Sequence, residues 1–142
     1  MGRVIAVCIS TKKGTIKHPV PSALLVADHG VEGDVHADGG IRQLSLLARE
    51  STEKIRASLP DIPPGAFAEN VLTEGLVLCD LPIGARLAIG SAIIEITQIG
   101  KDCHAACEIR RLTGDCVMPR EGVFARVIRG GRITAGDRIA VI

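Results

Sequence analysis

The feature that most constrains this chain is a succession of short, β-branched apolar runs, each stopped by glycine or proline. "GRVIAVCIS", "SALLV", "VLTEGLV", "ARLAIG", "AIIEITQIG" and the closing "VFARVIRGGRITAGDRIAVI" supply these runs. They recur at roughly ten-residue spacing, the habit of an all-β sandwich or barrel. Turn signals fall at Lys13-Gly14, Pro82-Ile83-Gly84, Gly90-Ser91, Gly130-Gly131 and Gly136-Asp137. One stretch departs from the pattern. "RQLSLLARESTEKIRASLP" is ambiguous at its start and reads as helical from about Ala48, with Ala48, Ser51, Ile55 and Leu59 on one face and Pro60 ending it. "GVEGDVHADGG" and "IPPGAFAEN" read as loops. The expectation is a mainly β barrel with a few short accessory helices. Its closing "GDRIAVI" should pair with an earlier strand, because an apolar terminal strand left open invites aggregation.

A chain of 142 residues suits one compact domain, 1–142, with a real core. Seventeen basic and 16 acidic residues leave a formal net charge of +1, which gives no general attraction to nucleic acid or an anionic membrane. Two phenylalanines and no Trp or Tyr remove the stacking platform of a single-strand binder. The opening "MGRVIAVCIS" is too short in apolar run for a signal peptide, and Ala6 breaks the myristoylation pattern. No apolar run is long enough for a membrane helix. A cytoplasmic protein is expected, and in that compartment five cysteines read as thiols, metal ligands or sulfur carriers.

Three of those cysteines fall in "GKDCHAACEIRRLTGDCVMPREGVFARV", residues 100–127. Gly100 allows a sharp turn, and "DCHAACEIRRL" reads as a short helix capped by Asp102, with Arg110 and Arg111 in its last turn. Cys103 then takes the first helical position. The helix dipole, Lys101 and His104 would all lower its thiol pKa, so a nucleophilic, persulfide-capable sulfur is expected there. Cys107 follows at i+4 and Cys116 nine positions further on. With His104 these three cysteines offer four zinc ligands, although the spacing matches no familiar zinc pattern. The plain alternative is that Cys107 and Cys116 are small buried hydrophobes.

Taken with "GVEGDVHADGGIRQLSLLARES" and "GAFAENVLTEGL…LPIGARLAIG", this stretch resembles a small stand-alone MOSC domain, the family named for the C-terminal domain of molybdenum cofactor sulfurase. The likeness runs through nearly the whole chain in one order. It implies a β barrel with accessory helices, and a cysteine matching Cys103 that carries sulfur as a persulfide or contacts the molybdenum of a bound pterin. It also implies a pocket shaped by Asp34, His36 and Asn70, the last beside Glu69. Arg42, Arg120 and Arg126 are the candidates to hold the cofactor's phosphate, with Lys101 and His104 flanking the sulfur. Cys107 or Cys116 would resolve a persulfide or complete a soft-ligand set with Cys103. His18 and His29 read as surface residues.

The implied cofactor is molybdopterin carrying molybdenum or tungsten. The large sulfurases draw sulfur from cysteine with a pyridoxal phosphate domain for which this chain has no room, so no pyridoxal phosphate is expected. Sulfur would come from a separate cysteine desulfurase or another donor, and go to a molybdenum or tungsten enzyme or a cofactor-biosynthesis protein. Two rival readings remain: a molybdenum-dependent reductase of N-hydroxylated compounds, and a zinc-stapled interaction module. Hydrophobic edge strands are compatible with a homodimer.

Overall fold

A computed structural model of the chain describes residues 2–12, 16–35, 37, 39–56, 64–100 and 122–142. The apolar runs become strands: β1 (Gly2–Ile9), β2 (His18–Val20), β3 (Ser22–Val26), β4 (Gly30–Val31), β5 (Leu44–Ala48), β6 (Val71–Glu74), β7 (Arg86–Ile89), β8 (Ala92–Ile99), β9 (Val123–Arg129), β10 (Gly131–Thr134) and β11 (Arg138–Val141). The helical stretch is α1 (Arg49–Arg56), and the ambiguous residues before it are strand β5. Leu44 to Ala48 are all buried, so a central strand there looks to the eye like the start of a buried helix. The helix expected over "DCHAACEIRRL" lies outside the described residues.

Seven strands close into a barrel in the order β1-β11-β7-β8-β9-β5-β6 and back to β1. The closing strand makes this possible, because β11 pairs with β7 on one side and β1 on the other. Seven is odd, so a ring of strictly alternating directions cannot close. The parallel pair β5–β6 resolves the parity, and α1 sits in the crossover that a parallel connection requires. A second, three-stranded sheet, β10-β3-β4, packs its Ala23, Leu25, Val31 and Ile133 into the same core.

Inward-facing residues follow the period of two: Leu44, Leu46 and Ala48 on β5, and Val123, Ala125 and Val127 on β9. Two of the three register shifts among the described strands explain breaks in this alternation. On β1, Val4 and Val7 both face the core despite odd spacing, because the register shifts between Val4 and Ala6. On β8 the register against β9 shifts between Ile96 and Gln98. Ile94 and Ile96 stay inside, Ile99 packs against the core opposite Val123, and Gln98 is turned to the outer wall opposite Phe124. Among the described residues, no helix is long and apolar enough to cross a membrane.

Candidate functional site

The outer wall of β8 and β9 carries the first group of interest. Since Val123, Ala125 and Val127 face inward, Phe124 and Arg126 face outward. Their cross-strand partners are Gln98 and Glu95. The loop before β5 lies along this wall, tied by the Thr97 hydroxyl donating to the Ile41 carbonyl. Arg42, exposed at the end of that loop, stacks its guanidinium 5.3 Å from the centroid of the Phe124 ring. Its Nε donates to Gln98 Oε1 at 3.0 Å. Among the described residues this is the only hydrogen bond of Arg42, which leaves the η nitrogens open. The other end of the Gln98 amide donates to the Gly100 carbonyl at 2.8 Å, and Gly100 N–H donates to Gly122 O at 2.6 Å. Those two glycines are the last and first described residues on either side of the cysteine-rich stretch.

Arg126 is engaged differently. It meets Glu95 Oε2 at 2.9 Å, while Arg86 Nε meets Glu95 Oε1 at 3.2 Å. Desolvation pushes the Glu95 carboxyl up, but hydrogen bonds and charge from Arg86 and Arg126 outweigh it and hold the pKa below its ordinary value. Arg126 is thus one half of an ion pair on the wall, whereas the Arg42 fork meets no carboxylate among the described residues.

Inward along the same band, Phe124 pairs with Ser45 and Ser45 with Asn70. Asn70 is sealed. Its Oδ1 accepts from Ser45 N at 3.0 Å, and its Nδ2 donates to Cys8 O at 3.0 Å. Next to it Glu69, also buried, accepts backbone N–H bonds from Gly65 at 2.8 Å and Phe67 at 3.1 Å. Burial nevertheless raises its pKa to about 6, against the lowering influence of those amides and of Lys17.

Asp34 closes the row. Its Oδ1 meets Lys17 Nζ at 2.8 Å and accepts from Ser10 N at 3.0 Å, and neither charged side chain is exposed. Lys17 Nζ also donates to Ser10 Oγ at 3.1 Å. The close approach of chain segments here explains Gly65, where a Cβ would stand 2.1 Å from the Lys17 carbonyl oxygen. The Cys8 thiol, raised to about 12 by burial and the Glu69 charge despite Lys17, is protonated and unreactive at neutral pH.

The structure therefore places the sequence-chosen residues in two settings. Arg42 and Arg126 stand on the outer wall of β9, Arg42 open and Arg126 paired. Asp34 and Asn70 lie beneath the surface, their polar atoms satisfied by the frame that holds the Arg42 loop. His36, Lys101, Cys103, His104, Cys107, Cys116 and Arg120 lie outside the described residues. Among the described residues no cluster of three metal-ligating side chains occurs, and the two described cysteines, Cys8 and Cys79, are free thiols. Cys79 is half-buried beside a groove of about 340 Å³ that Ser51, Leu76 and Leu78 also line.

Sequence reasoning missed Lys17, Gln98 and Phe124. Phe124 had a usable signal, since alternation along "VFARV" sets it on the face opposite Val123 and Ala125. Lys17 had none, because nothing in "TIKHP" marks a buried cation.

A family model of the MOSC domain matches residues 33–140, a span that includes Asp34, Arg42, Asn70, Gln98 and Phe124. The chain belongs to the MOSC domain family. Solved structures with this fold include the YuaD protein from Bacillus subtilis, 19% identical, with a TM-score of 0.80 over 98% of this chain and 94% of that one. YiiM from Geobacillus stearothermophilus is 17% identical with a TM-score of 0.73, over 100% of this chain and 75% of its own. YiiM from Escherichia coli is 20% identical with a TM-score of 0.68, over 99% and 69%. No curated protein matches the chain. MOSC domains are generally associated with the molybdenum cofactor. Among the described residues, Arg42 presents an exposed planar fork of the kind that suits two oxygens of a phosphate group.

Proposed function

We propose that this MOSC domain binds a molybdenum or tungsten cofactor by its phosphate and carries sulfur on Cys103 to or from it. The observation that carries the reading is the position of Arg42. Its open guanidinium is joined through one side-chain amide to Gly100, three residues before Cys103 in sequence. Gly100 opens the stretch that leads to Cys103, so in this reading the anion contact and the sulfur belong to neighbouring parts of the chain. Charge supports the division of labour. Among the described residues Arg42 has no carboxylate partner and so offers its fork to the phosphate, while Glu95 already balances Arg126.

In this reading Arg120 supplies a second cation to the phosphate, and His36 shapes the pocket with the loop that Asp34 holds. Lys101 and His104 favour the thiolate of Cys103. When bound, the cofactor supplies a soft metal centre with affinity for terminal sulfur. The Cys103 thiolate attacks the outer sulfur of a donor persulfide such as that of a cysteine desulfurase. One S–S bond forms as another breaks, the donor thiolate leaves, and Cys103 becomes the persulfide. For delivery, an acceptor thiolate on a molybdenum or tungsten enzyme, or on a cofactor-biosynthesis protein, attacks that outer sulfur; the new S–S bond forms as the Cys103 S–S bond breaks, and the Cys103 thiolate leaves. Cys107 or Cys116 would resolve a stranded persulfide. The reaction is placed in the cytoplasm, where free thiols persist.

Native mass spectrometry of protein purified from its own host tests this directly. Bound pterin, metal or an added sulfur of about 32 Da in the wild type, lost in Cys103→Ala, is the expected result. Unchanged cofactor content and unchanged sulfur loading in that variant would remove the proposal.

A further inference from the structure

We infer that Gln98 is a positioning residue for Arg42, holding the guanidinium as a pre-set anion fork at a fixed place relative to Gly100. The inference rests on the reading that Arg42 takes the phosphate, and goes beyond it by naming what aims the fork. Three observations carry it. First, the bulge between Ile96 and Gln98 is what puts Gln98 on the outer wall. Regular alternation from Ile94 and Ile96 would have pointed it into the barrel, so the backbone irregularity serves this side chain. Second, both ends of the amide are used, Oε1 accepting from Arg42 Nε at 3.0 Å and Nε2 donating to Gly100 O at 2.8 Å. Turning the amide over would set NH₂ against N–H and oxygen against oxygen, so its orientation is determined. Third, the Phe124 ring lies 5.3 Å from the guanidinium carbon and limits its remaining rotation.

A free arginine side chain loses much rotamer entropy when it grips an anion. Here the Nε hydrogen bond and the stacked ring have restricted it beforehand, and the two η nitrogens are left to meet two oxygens. In this arrangement Gln98 is assigned no ligand contact of its own. It acts through Arg42, and through the Gly100 carbonyl it links that arginine to the chain leading into "KDCH".

The test uses the full chain and inorganic pyrophosphate as the probe. Affinity is measured by calorimetry for wild type, Arg42→Ala, Gln98→Leu and Gln98→Glu. Solvent exchange of the Arg42 Nε–H is followed by NMR, its signal assigned by its loss in Arg42→Ala. Gln98→Leu should weaken pyrophosphate binding about five- to tenfold, the worth of one orienting hydrogen bond, and speed Nε–H exchange. Gln98→Glu keeps an acceptor for Nε but loses the donor to Gly100 O and places a negative charge against the fork. It should leave Nε–H protected yet bind pyrophosphate more weakly than Gln98→Leu, a split that a purely structural role would not produce. If Gln98→Leu does not fold, Gln98→Glu is compared with the wild type: protected Nε–H with weakened pyrophosphate binding supports the inference, and wild-type binding overturns it. Wild-type affinity in both variants, wild-type Nε–H exchange in Gln98→Leu, or no pyrophosphate binding by the wild type would overturn the inference. Failure of the sulfur reading shows separately, as absent pterin and absent Cys103 sulfur beside a pyrophosphate affinity that still depends on Gln98.

Discussion

Replacing Glu69 by glutamine should remove a pH dependence of stability written into the core. Glu69 is 1% exposed, accepts two backbone N–H bonds, and titrates at about 6 against an ordinary value of 4.5. Its ionisable neighbours are Lys17 and Cys8, and Lys17 is already shared with Asp34. A carboxyl whose pKa is higher in the folded state binds its proton more tightly there. Its contribution is therefore most favourable below about pH 4.5, and is lost as pH rises through about 6. The rise from 4.5 to about 6, at 1.36 kcal/mol per pH unit, amounts to about 2 kcal/mol. Urea unfolding of wild type and Glu69→Gln at intervals from pH 4.5 to 7.5 measures it. The wild-type free energy minus that of the variant should fall by about 2 kcal/mol across this window. Taking the difference cancels titrations the two proteins share. A flat difference, or one that rises with pH, would show that Glu69 ionises without penalty and that the stated balance of burial against amide hydrogen bonds is wrong.

Two further substitutions separate frame from site. Lys17→Met removes the buried ammonium from the Asp34 carboxylate and should cost about 3–5 kcal/mol in chemical denaturation; a loss below about 1 kcal/mol would mean the pair is not buried as described. Arg126→Ala removes a half-exposed partner of Glu95, which keeps Arg86, so stability should change by less than about 1 kcal/mol and pyrophosphate binding should hold; a large loss of binding would move the phosphate contact from Arg42 to Arg126.

The two arginines show how far the linear chain can be read. A glycine-rich loop ending in Arg42 suggests an anion contact, and so does a strand bearing Arg126. Only the pairing of β8 with β9 sets Glu95 beside Arg126 and leaves Arg42 open. Asn70 makes the same point from the other side. Its place in "AEN" before a strand is legible, but its burial depends on Ser45 and on Cys8, which is 62 residues away in sequence.

Local chemistry alone determined strands β1, β3 and β6 to β11, the helix after Ala48 and the pairing of "GDRIAVI" with an earlier strand, but not β2, β4 or β5. β-branched runs, turn glycines and a helical stripe act over a few residues and need no partner to be recognised. The tertiary structure decided which side chains look outward and which charges are spent. A bulge is a mismatch between two strands, so the turn of Gln98 to the outer wall is a property of β8 and β9 together. Likewise Lys17 is a surface residue by composition and a core residue by fold, because only the closed barrel brings Asp34 and Ser10 to its ammonium group.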